Sequence, residues 1–544
     1  MVTCLMKSFD KHCSKIRAHL CYHEQGAALA ACGYAQASGK RGVAYATSGP
    51  GATNLITGIA NAFFDSIPCL FITGQVNTSD IKNIPMMRQH GFQETDIVSI
   101  VKPITKYAVQ ITDAKQIRFE LEKAYAIAME GRKGPALLDI PLNIQRTDIS
   151  PEELDGYDFS INDNEGNKYR QTAEAIIQRI QKATRPVLVV GAGIRQCGAE
   201  EALSTLIDRL KIPVLTSMIG VDVISSNSPY AFGFLGAYGH RWANHIVFKS
   251  DLIIAIGTRM DIRQTGSDRS AFAPQAAMIR VDIDEGELQW QRENKDTNIH
   301  CDAKLLIQAM NQLMIDFTNQ HTEWYEICRQ VKILLENIDK EKENQEIAEL
   351  SRLFPENAII TTDVGQNQVW VAQSFQVRKQ RILFSGGLAA MGYALPAAIG
   401  AYYACRDKVF CFVGDGGLQM NIQELEVLAR ERLPIKILLM NNSSLGMIRQ
   451  FQEMYFDGNY MQMVPSHGYT APDFCRIAEA YGIKAVEIHN IEDMKKDLAS
   501  DEPVLFNIIC QPKTYVYPKL AINHPAYDQD PLIDRALLKE IQEL

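Results

Sequence analysis

Three stretches of the chain share one pattern. Short apolar, β-branched runs stop at a Gly or Pro turn, and longer helical stretches lie between them. The first stretch carries GVAYATSGPG (42–51), PCLFITGQ (68–75) and PALLDIP (135–141), with a helical pattern over 114–130. The second carries RPVLVVGAGI (185–194), IPVLTSMIG (212–220), DLIIAIGTRM (251–260) and AMIRVDID (277–284). The third carries AIITTDVG (358–365), KVFCFVGDGG (408–417), PIKILLMNN (434–442) and PVLFNIIC (503–510). Continuous apolar runs predict strands buried on both faces, and their alternation with helices predicts parallel sheets. The expected fold class is α/β, with three doubly wound parallel-sheet domains. A polar, acidic linker (151–170) and a second one within 318–349 set the expected domains at 1–150, 171–317 and 345–544. The second linker ends in NIDKEKENQE, a charged run that predicts a solvated helix rather than a site.

Composition narrows the class. The chain has 544 residues, of which 46% are hydrophobic and 22% charged, and a formal net charge of −9. Those values fit a globular protein and exclude disorder, collagen and coiled coil as descriptions of the whole. The mild acidity gives no global attraction to nucleic acid or to an anionic membrane, so neither is expected as a partner. No apolar stretch approaches the ~18 residues of a membrane span, and the first twenty residues lack the apolar block of a signal peptide. The 12 Cys are scattered without a Cys-x-x-Cys pair, which argues against a zinc ribbon and fits a reducing cytoplasm.

The chemistry concentrates in the third stretch. VFCFVGDGG is a strand pattern ending in Gly414-Asp415-Gly416-Gly417, and PIKILLM ends in Asn441-Asn442. In a parallel sheet both strand ends open on the same edge, where ligands bind. The Asp415 carboxylate and the Asn442 amide oxygen are hard donors suited to Mg²⁺, which takes few protein ligands alongside phosphate oxygens. The glycines allow a diphosphate to approach the backbone at a helix start.

The segment GDGGLQMNIQELEVLARERLPIKILLMNNSSLGMIRQFQ resembles the thiamine-diphosphate motif of acetolactate synthase (acetohydroxyacid synthase) catalytic subunits. HEQGAALAACGYAQASGK, TSGPGATNLITGIANAFFDSIP, GFQETDIV, GTRMDIRQTG and SGGLAAMGYALPAAIGA resemble further blocks of that family, in its order. The resemblance implies a pyrimidine-binding domain, a central FAD-type domain and a diphosphate-binding domain. It implies thiamine diphosphate and Mg²⁺ as cofactors, with FAD in the central domain and without a net redox role. Mg²⁺ would be held by Asp415, Asn442 and the backbone carbonyl of Ser444. Around the cofactor the resemblance places Pro50, Asn54, Val364, Gly365, Gln366, Met391, Gly414, Gly416, Gly417, Leu445, Gly446 and Met447.

By the same resemblance, Glu24 contacts N1′ of the aminopyrimidine. A carboxyl proton shared there favours the imino tautomer that deprotonates the thiazolium, so the protein tunes a reaction that the cofactor performs. Met391 bends the cofactor, and Gln93 bonds reacting oxygens. Gly191 and Gly193 follow a buried strand; with Arg259 and Asp282 they are the expected FAD contacts. Arg263 takes the carboxylate of the second 2-oxoacid, for which a guanidinium fork is well shaped, and Phe451 lines the same pocket. The implied reaction decarboxylates pyruvate and joins the hydroxyethyl carbanion to a second 2-oxoacid, as in branched-chain amino-acid biosynthesis. The implied assembly is a homodimer or tetramer with its active sites between subunits, and a regulatory small subunit is a possible partner.

Several positions depart from the family pattern. Phe451 replaces a Trp, Leu142 a Lys, Ile262 an Asp and Asn367 a His. Only 23 residues precede Glu24, where family chains carry a first strand and a Gly-rich turn; a truncated first domain is the expectation. These departures keep two alternatives open: a carboligase with a keto-sugar or aldehyde acceptor, and a non-catalytic paralogue.

Overall fold

A computed structural model describes residues 2–12, 16–84, 86–159, 166–289, 296–313, 320–339, 341–522 and 524–544. Its strands form three sheets, and every pairing within them is parallel. The first sheet holds β1 (Gly42–Ala46), β2 (Cys69–Gln75), β3 (Tyr107–Gln110) and β4 (Ala136–Pro141), in the order β1-β2-β4-β3. The second holds β5 (Pro186–Val190), β6 (Val214–Thr216), β7 (Ala231–Phe234), β8 (Leu252–Ile256), β9 (Ala277–Asp282) and β10 (Asp296–His300), in the order β10-β9-β8-β5-β6-β7. The third holds β11 (Ile359–Thr362), β12 (Arg381–Leu383), β13 (Val409–Gly414), β14 (Lys436–Asn441), β15 (Lys484–Ile488) and β16 (Val504–Ile509), in the order β12-β11-β13-β14-β16-β15. Helices connect the parallel strands, as crossovers require, and the expected α/β class with three parallel sheets is what the chain adopts.

All eleven apolar runs form strands, and their central members are buried along their whole length. The charged run at 337–346 departs from its expectation. Helices Thr322–Leu335 and Lys342–Leu353 leave a break within it, and Glu343 and Asn344 are buried at the start of the second helix. Parts of both linkers, 160–165 and 314–319, lie outside the described residues. Among the described residues the first sheet has four strands, and β1 is at its edge with Val43 52% exposed. Thr3–His12 is a helix whose Phe9 ring stacks on Tyr45 of β1 at 5.8 Å. No helix of the described residues is long and apolar enough to cross a membrane.

Two devices join the first and third units. Helix Glu24–Ser38 crosses helix Ala394–Cys405 so closely that a side chain on Gly33 would strike the Ala397 backbone, and one on Gly400 the Ala30 carbonyl. Beside this crossing the fully buried Glu424 carboxylate accepts the backbone amides of Tyr22 (3.2 Å) and His23 (3.1 Å).

The second unit is tied to the third through Asp222. One buried carboxylate oxygen accepts Arg195 Nε at 3.2 Å, the Ile382 amide at 3.0 Å and the Arg381 guanidinium. Burial opposes the charge, but the Arg381 and Arg195 guanidinium groups outweigh it and hold the carboxyl below the usual aspartate range. Because the folded group titrates below the unfolded one, its contribution is complete above about pH 4 and fades as pH falls through the folded value. Asp222→Asn leaves Arg195 with Glu200 alone and Arg381 with the Gln36 carbonyl, and should cost about 3 kcal/mol. The check is the urea midpoint at pH 7; an unchanged midpoint refutes the clamp.

Candidate active site

The carboxyl edge of the third sheet gathers the polar residues that the strand pattern brings there. β13 and β14 run side by side, with Gly414 opposite Met440. Asp415 therefore leaves β13 next to Asn442, which leaves β14. Asp415 Oδ2 and Asn442 Oδ1 each accept the Ser444 amide at 3.1 Å, so one N–H fixes the separation of the two oxygens. Asp415 Oδ1 accepts the Gly416 amide at 2.8 Å, and the Ser444 carbonyl accepts the Gly446 amide at 2.9 Å. Asp415, Asn442 and Ser444 are all buried. Burial pushes the Asp415 carboxyl up to about 6 despite these amides and a hydrogen bond from Tyr469. A buried carboxylate, an amide oxygen and a neighbouring carbonyl form a set of hard oxygen donors. It fits Mg²⁺, which accepts oxygen ligands of this kind.

Around this set, Gln366 fixes the far side of Asn442. Its Oε1 accepts Asn442 Nδ2 at 3.1 Å and Thr514 Oγ1 at 2.6 Å, and its Nε2 donates to the Thr514 carbonyl at 2.8 Å. Helices Gln366–Ser374 and Gly446–Tyr455 both begin at this edge, so two helix N-termini favour negative charge there. Gly365, at φ +150°, supplies the turn into the first of them. Val364 precedes it, and Leu445 and Met447 flank Gly446. Asn367 turns its amide nitrogen to the Asp363 carbonyl at 2.8 Å.

Met391 stands against the same edge, where a Cβ on Gly416 would meet its methyl at 3.3 Å. Two buried carboxylates that the sequence reading missed hold its loop. Asp363 accepts the amides of Gly392 (3.0 Å) and Ala394 (2.8 Å), and Asp65 from the first unit accepts those of Gly386 (3.0 Å) and Gly387 (2.6 Å). Burial pushes both carboxyls up to about 6. The signal for Asp363 was its position directly before Val364-Gly365; Asp65 offered none.

The first unit contributes Glu24, at the start of helix Glu24–Ser38. Asn54 Nδ2 donates to its carboxylate at 3.0 Å, and Asn54 ends the short helix that Pro50 begins. Gln93 packs on Gly49 of the same turn and holds a left-handed φ of +65°, a strained conformation that functional residues often carry. Within one chain, no contact joins the Glu24 carboxylate to Asp415 or Asn442 among the described residues.

A cleft of about 420 Å³ runs between the three units. Gly193, Arg259, Asp282 and Arg263 line it. Gly191 and Gly193 pack against Gly257, and their amides donate to the carbonyls of Ile256 and Gly257. Arg259 reaches Glu287 at 3.5 Å and Asp261 at 3.7 Å. Burial raises the Asp282 carboxyl. Arg263 is exposed, with long contacts to the Gly386 carbonyl (3.4 Å) and Met218 Sδ (4.0 Å) and no ion pair among the described residues. Phe451 is 41% exposed and meets Tyr455 at 4.7 Å.

Three family models match the chain in order. They are the thiamine pyrophosphate enzyme N-terminal TPP binding domain over 2–100, the central domain over 173–310 and the C-terminal TPP binding domain over 363–508. The chain belongs to the thiamine pyrophosphate enzymes. Within that class its relatives are acetolactate synthase large subunits. The isozyme 2 large subunit of Escherichia coli (strain K12) is 36% identical over 516 residues, covering 92% of this chain and 89% of that one. The probable acetolactate synthase large subunit of Methanococcus aeolicus is 38% identical over 90% of this chain and 85% of its own length. The large subunit of Pyropia yezoensis is 38% identical over 92% and 85%.

Proposed function

We propose that this chain is a thiamine-diphosphate-dependent carboligase of the acetolactate synthase type. In the net reaction one pyruvate loses its carboxylate as CO₂, and its remaining two carbons bond to the 2-oxo carbon of a second 2-oxoacid. The acceptor oxygen takes up one proton. The observation that carries the reading is the Ser444 amide shared by Asp415 and Asn442, which sets two hard oxygens side by side at a diphosphate-favouring edge.

Mg²⁺ would be held by Asp415, Asn442 and the Ser444 carbonyl. Gly414, Gly416, Gly417, Leu445, Gly446 and Met447 line the diphosphate. Val364, Gly365 and Gln366 would face it from the turn after β11, and Met391 would support the cofactor from its own loop. Thiamine diphosphate, once bound, supplies the carbon nucleophile and the electron sink for decarboxylation. Glu24 holds the proton exchanged with the aminopyrimidine, and the Asn54 amide fixes its carboxylate. Gln93 bonds the reacting oxygens, Arg263 takes the acceptor carboxylate and Phe451 forms its apolar wall. FAD fits the cleft that Gly193, Arg259 and Asp282 line, with Gly191 shaping the turn behind it. The assembly in this reading is a homodimer or tetramer in which two protomers complete each site; among the described residues no contact within one chain joins Glu24 to the Asp415–Asn442 pair. A regulatory small subunit and a cytoplasmic location complete the reading.

The test is pyruvate turnover by the purified chain with thiamine diphosphate, Mg²⁺ and FAD, scoring CO₂ and acetolactate together. Both products in equal amounts are expected. CO₂ without acetolactate overturns the acceptor assignment, and neither product overturns the carboligase.

A further inference from the structure

Strands β2, β4 and β3 bring four polar side chains together towards the carboxyl edge of the first sheet. Asp139 of β4 lies in register between Thr73 of β2 and Gln110 of β3. Asp139, Thr73 and Gln75 are buried. The Asp139 carboxylate accepts Thr73 Oγ1 at 2.7 Å, Gln110 Nε2 at 2.8 Å and Gln75 Nε2 at 3.1 Å. Gln75 Nε2 also donates to the Thr95 carbonyl at 2.8 Å, and its Oε1 accepts the Val76 amide at 3.0 Å. A carboxylate and a carbonyl only accept, so the Gln75 amide has one orientation. One side-chain amide therefore ties the sheet to a turn, at a point two residues beyond Gln93.

That turn is constrained on both sides. Gln93 holds a φ of +65°, a conformation disfavoured for a residue with a Cβ, and it persists only while the surroundings enforce it. On one side Gln93 packs on Gly49, where a Cβ would lie 2.9 Å from its own. On the other, the buried Glu94 carboxylate accepts the amides of Lys82 (3.0 Å) and His90 (2.7 Å), and Gln89 Nε2 donates to the Glu94 carbonyl at 3.0 Å. Those bonds stay within residues 82–94, whereas the Gln75 bond reaches the sheet. The Gln93 side-chain amide itself has no hydrogen-bond partner among the described residues. We infer that Gln75 is a positioning residue for the carboligation: through the Thr95 carbonyl it keeps Gln93 in the conformation that presents its amide to the reacting oxygens, and Asp139 fixes Gln75 in turn. Gln75 and Asp139 are 1% and 0% exposed, too deep to meet a substrate themselves. The inference rests on the carboligase reading above and on the place given there to Gln93.

The experiment is a double-mutant cycle on kcat for acetolactate, with the full chain loaded with thiamine diphosphate, Mg²⁺ and FAD. Gln93→Ala should lower kcat about 100-fold, the size expected for a lost donor to a developing oxyanion. Gln75→Met keeps the side-chain length and removes the donor; it should lower kcat about tenfold or more, with KM for pyruvate within about twofold. The two together should cost no more than Gln93→Ala alone, because Gln75 acts only through Gln93. Gln110→Met removes another amide from Asp139 and leaves Thr95 untouched, so it should lower Tm as Gln75→Met does and keep kcat. Should Gln75→Met not fold, Gln75→Ser, with room for water beside Asp139, takes its place. A Gln75 variant at the wild-type kcat beside a slow Gln93→Ala overturns the inference alone. So do losses that multiply in the double variant, or a Gln110→Met as slow as Gln75→Met, since either places Gln75 in the fold only. Gln93→Ala at the wild-type rate removes Gln93 from the chemistry and this inference with it. Neither acetolactate nor CO₂ from the wild type overturns the carboligase reading and the inference together.

Discussion

Asp415→Ala should abolish Mg²⁺-dependent binding of thiamine diphosphate, raising its Kd at least ~100-fold, or about 2.7 kcal/mol. The size follows from what Asp415 does in the site. It is the only full negative charge of the donor set, since Asn442 and the Ser444 carbonyl are neutral, and a divalent ion needs that charge. The same substitution frees the Gly416 amide, which Asp415 Oδ1 accepts, and leaves the Ser444 amide with Asn442 alone. The Asp415 side chain is not a fold-holding clamp: its partners lie within its own loop edge, unlike those of Asp222. Thermal melting without cofactor should therefore change little, while the cofactor-dependent rise in Tm disappears. Titration followed by tryptophan fluorescence gives the Kd. An unchanged affinity refutes the metal site.

What was legible in the sequence, and what was not, follows from burial. The apolar-run pattern found eleven strands and missed β3, β7, β10, β12 and β15. Each of these five stands at an edge of its sheet. An edge strand is covered on fewer sides, so its residues need not be apolar; β10 reads DTNIH and β15 reads KAVEI, both only partly buried. The strand pattern also led directly to Asp415 and Asn442, because residues that follow paired parallel strands must share an edge. Glu424 and Asp65 were invisible for the opposite reason. Glu424 serves amides 401 and 402 positions away, and Asp65 serves amides more than 320 positions away. Neither spacing leaves a local signature. Thr514 follows β16 on a stretch without regular structure, where no periodicity marks a side chain as buried. The glycines of GAG read as a dinucleotide turn, yet their smallness is also required by Gly257 alongside them.

Glu24→Gln separates a proton-exchanging carboxyl from a merely structural one. Gln keeps the length of Glu and an oxygen for Asn54 Nδ2, so the 3.0 Å hydrogen bond can persist. Loss of a first-turn negative charge at helix Glu24–Ser38 costs about 0.3–1 kcal/mol, a small fall in Tm. Loss of the exchangeable proton should lower kcat by about 10²–10⁴, equivalent to about 2.7–5.4 kcal/mol of barrier. Affinity for Mg²⁺ and thiamine diphosphate should stay within about threefold, because Gln keeps a hydrogen-bonding group at that place and, among the described residues, Glu24 makes no contact with the Asp415–Asn442 set. A variant that loses a few degrees of Tm and keeps its turnover would return Glu24 to a capping role. Mixing Glu24→Gln with Asp415→Ala then tests where the two halves of the site come from. If each site joins Glu24 of one protomer to Asp415 of another, randomly exchanged dimers regain about a quarter of the wild-type activity, since half are mixed and one site in each is intact. If one chain supplies both residues, the mixture stays as inactive as its parts.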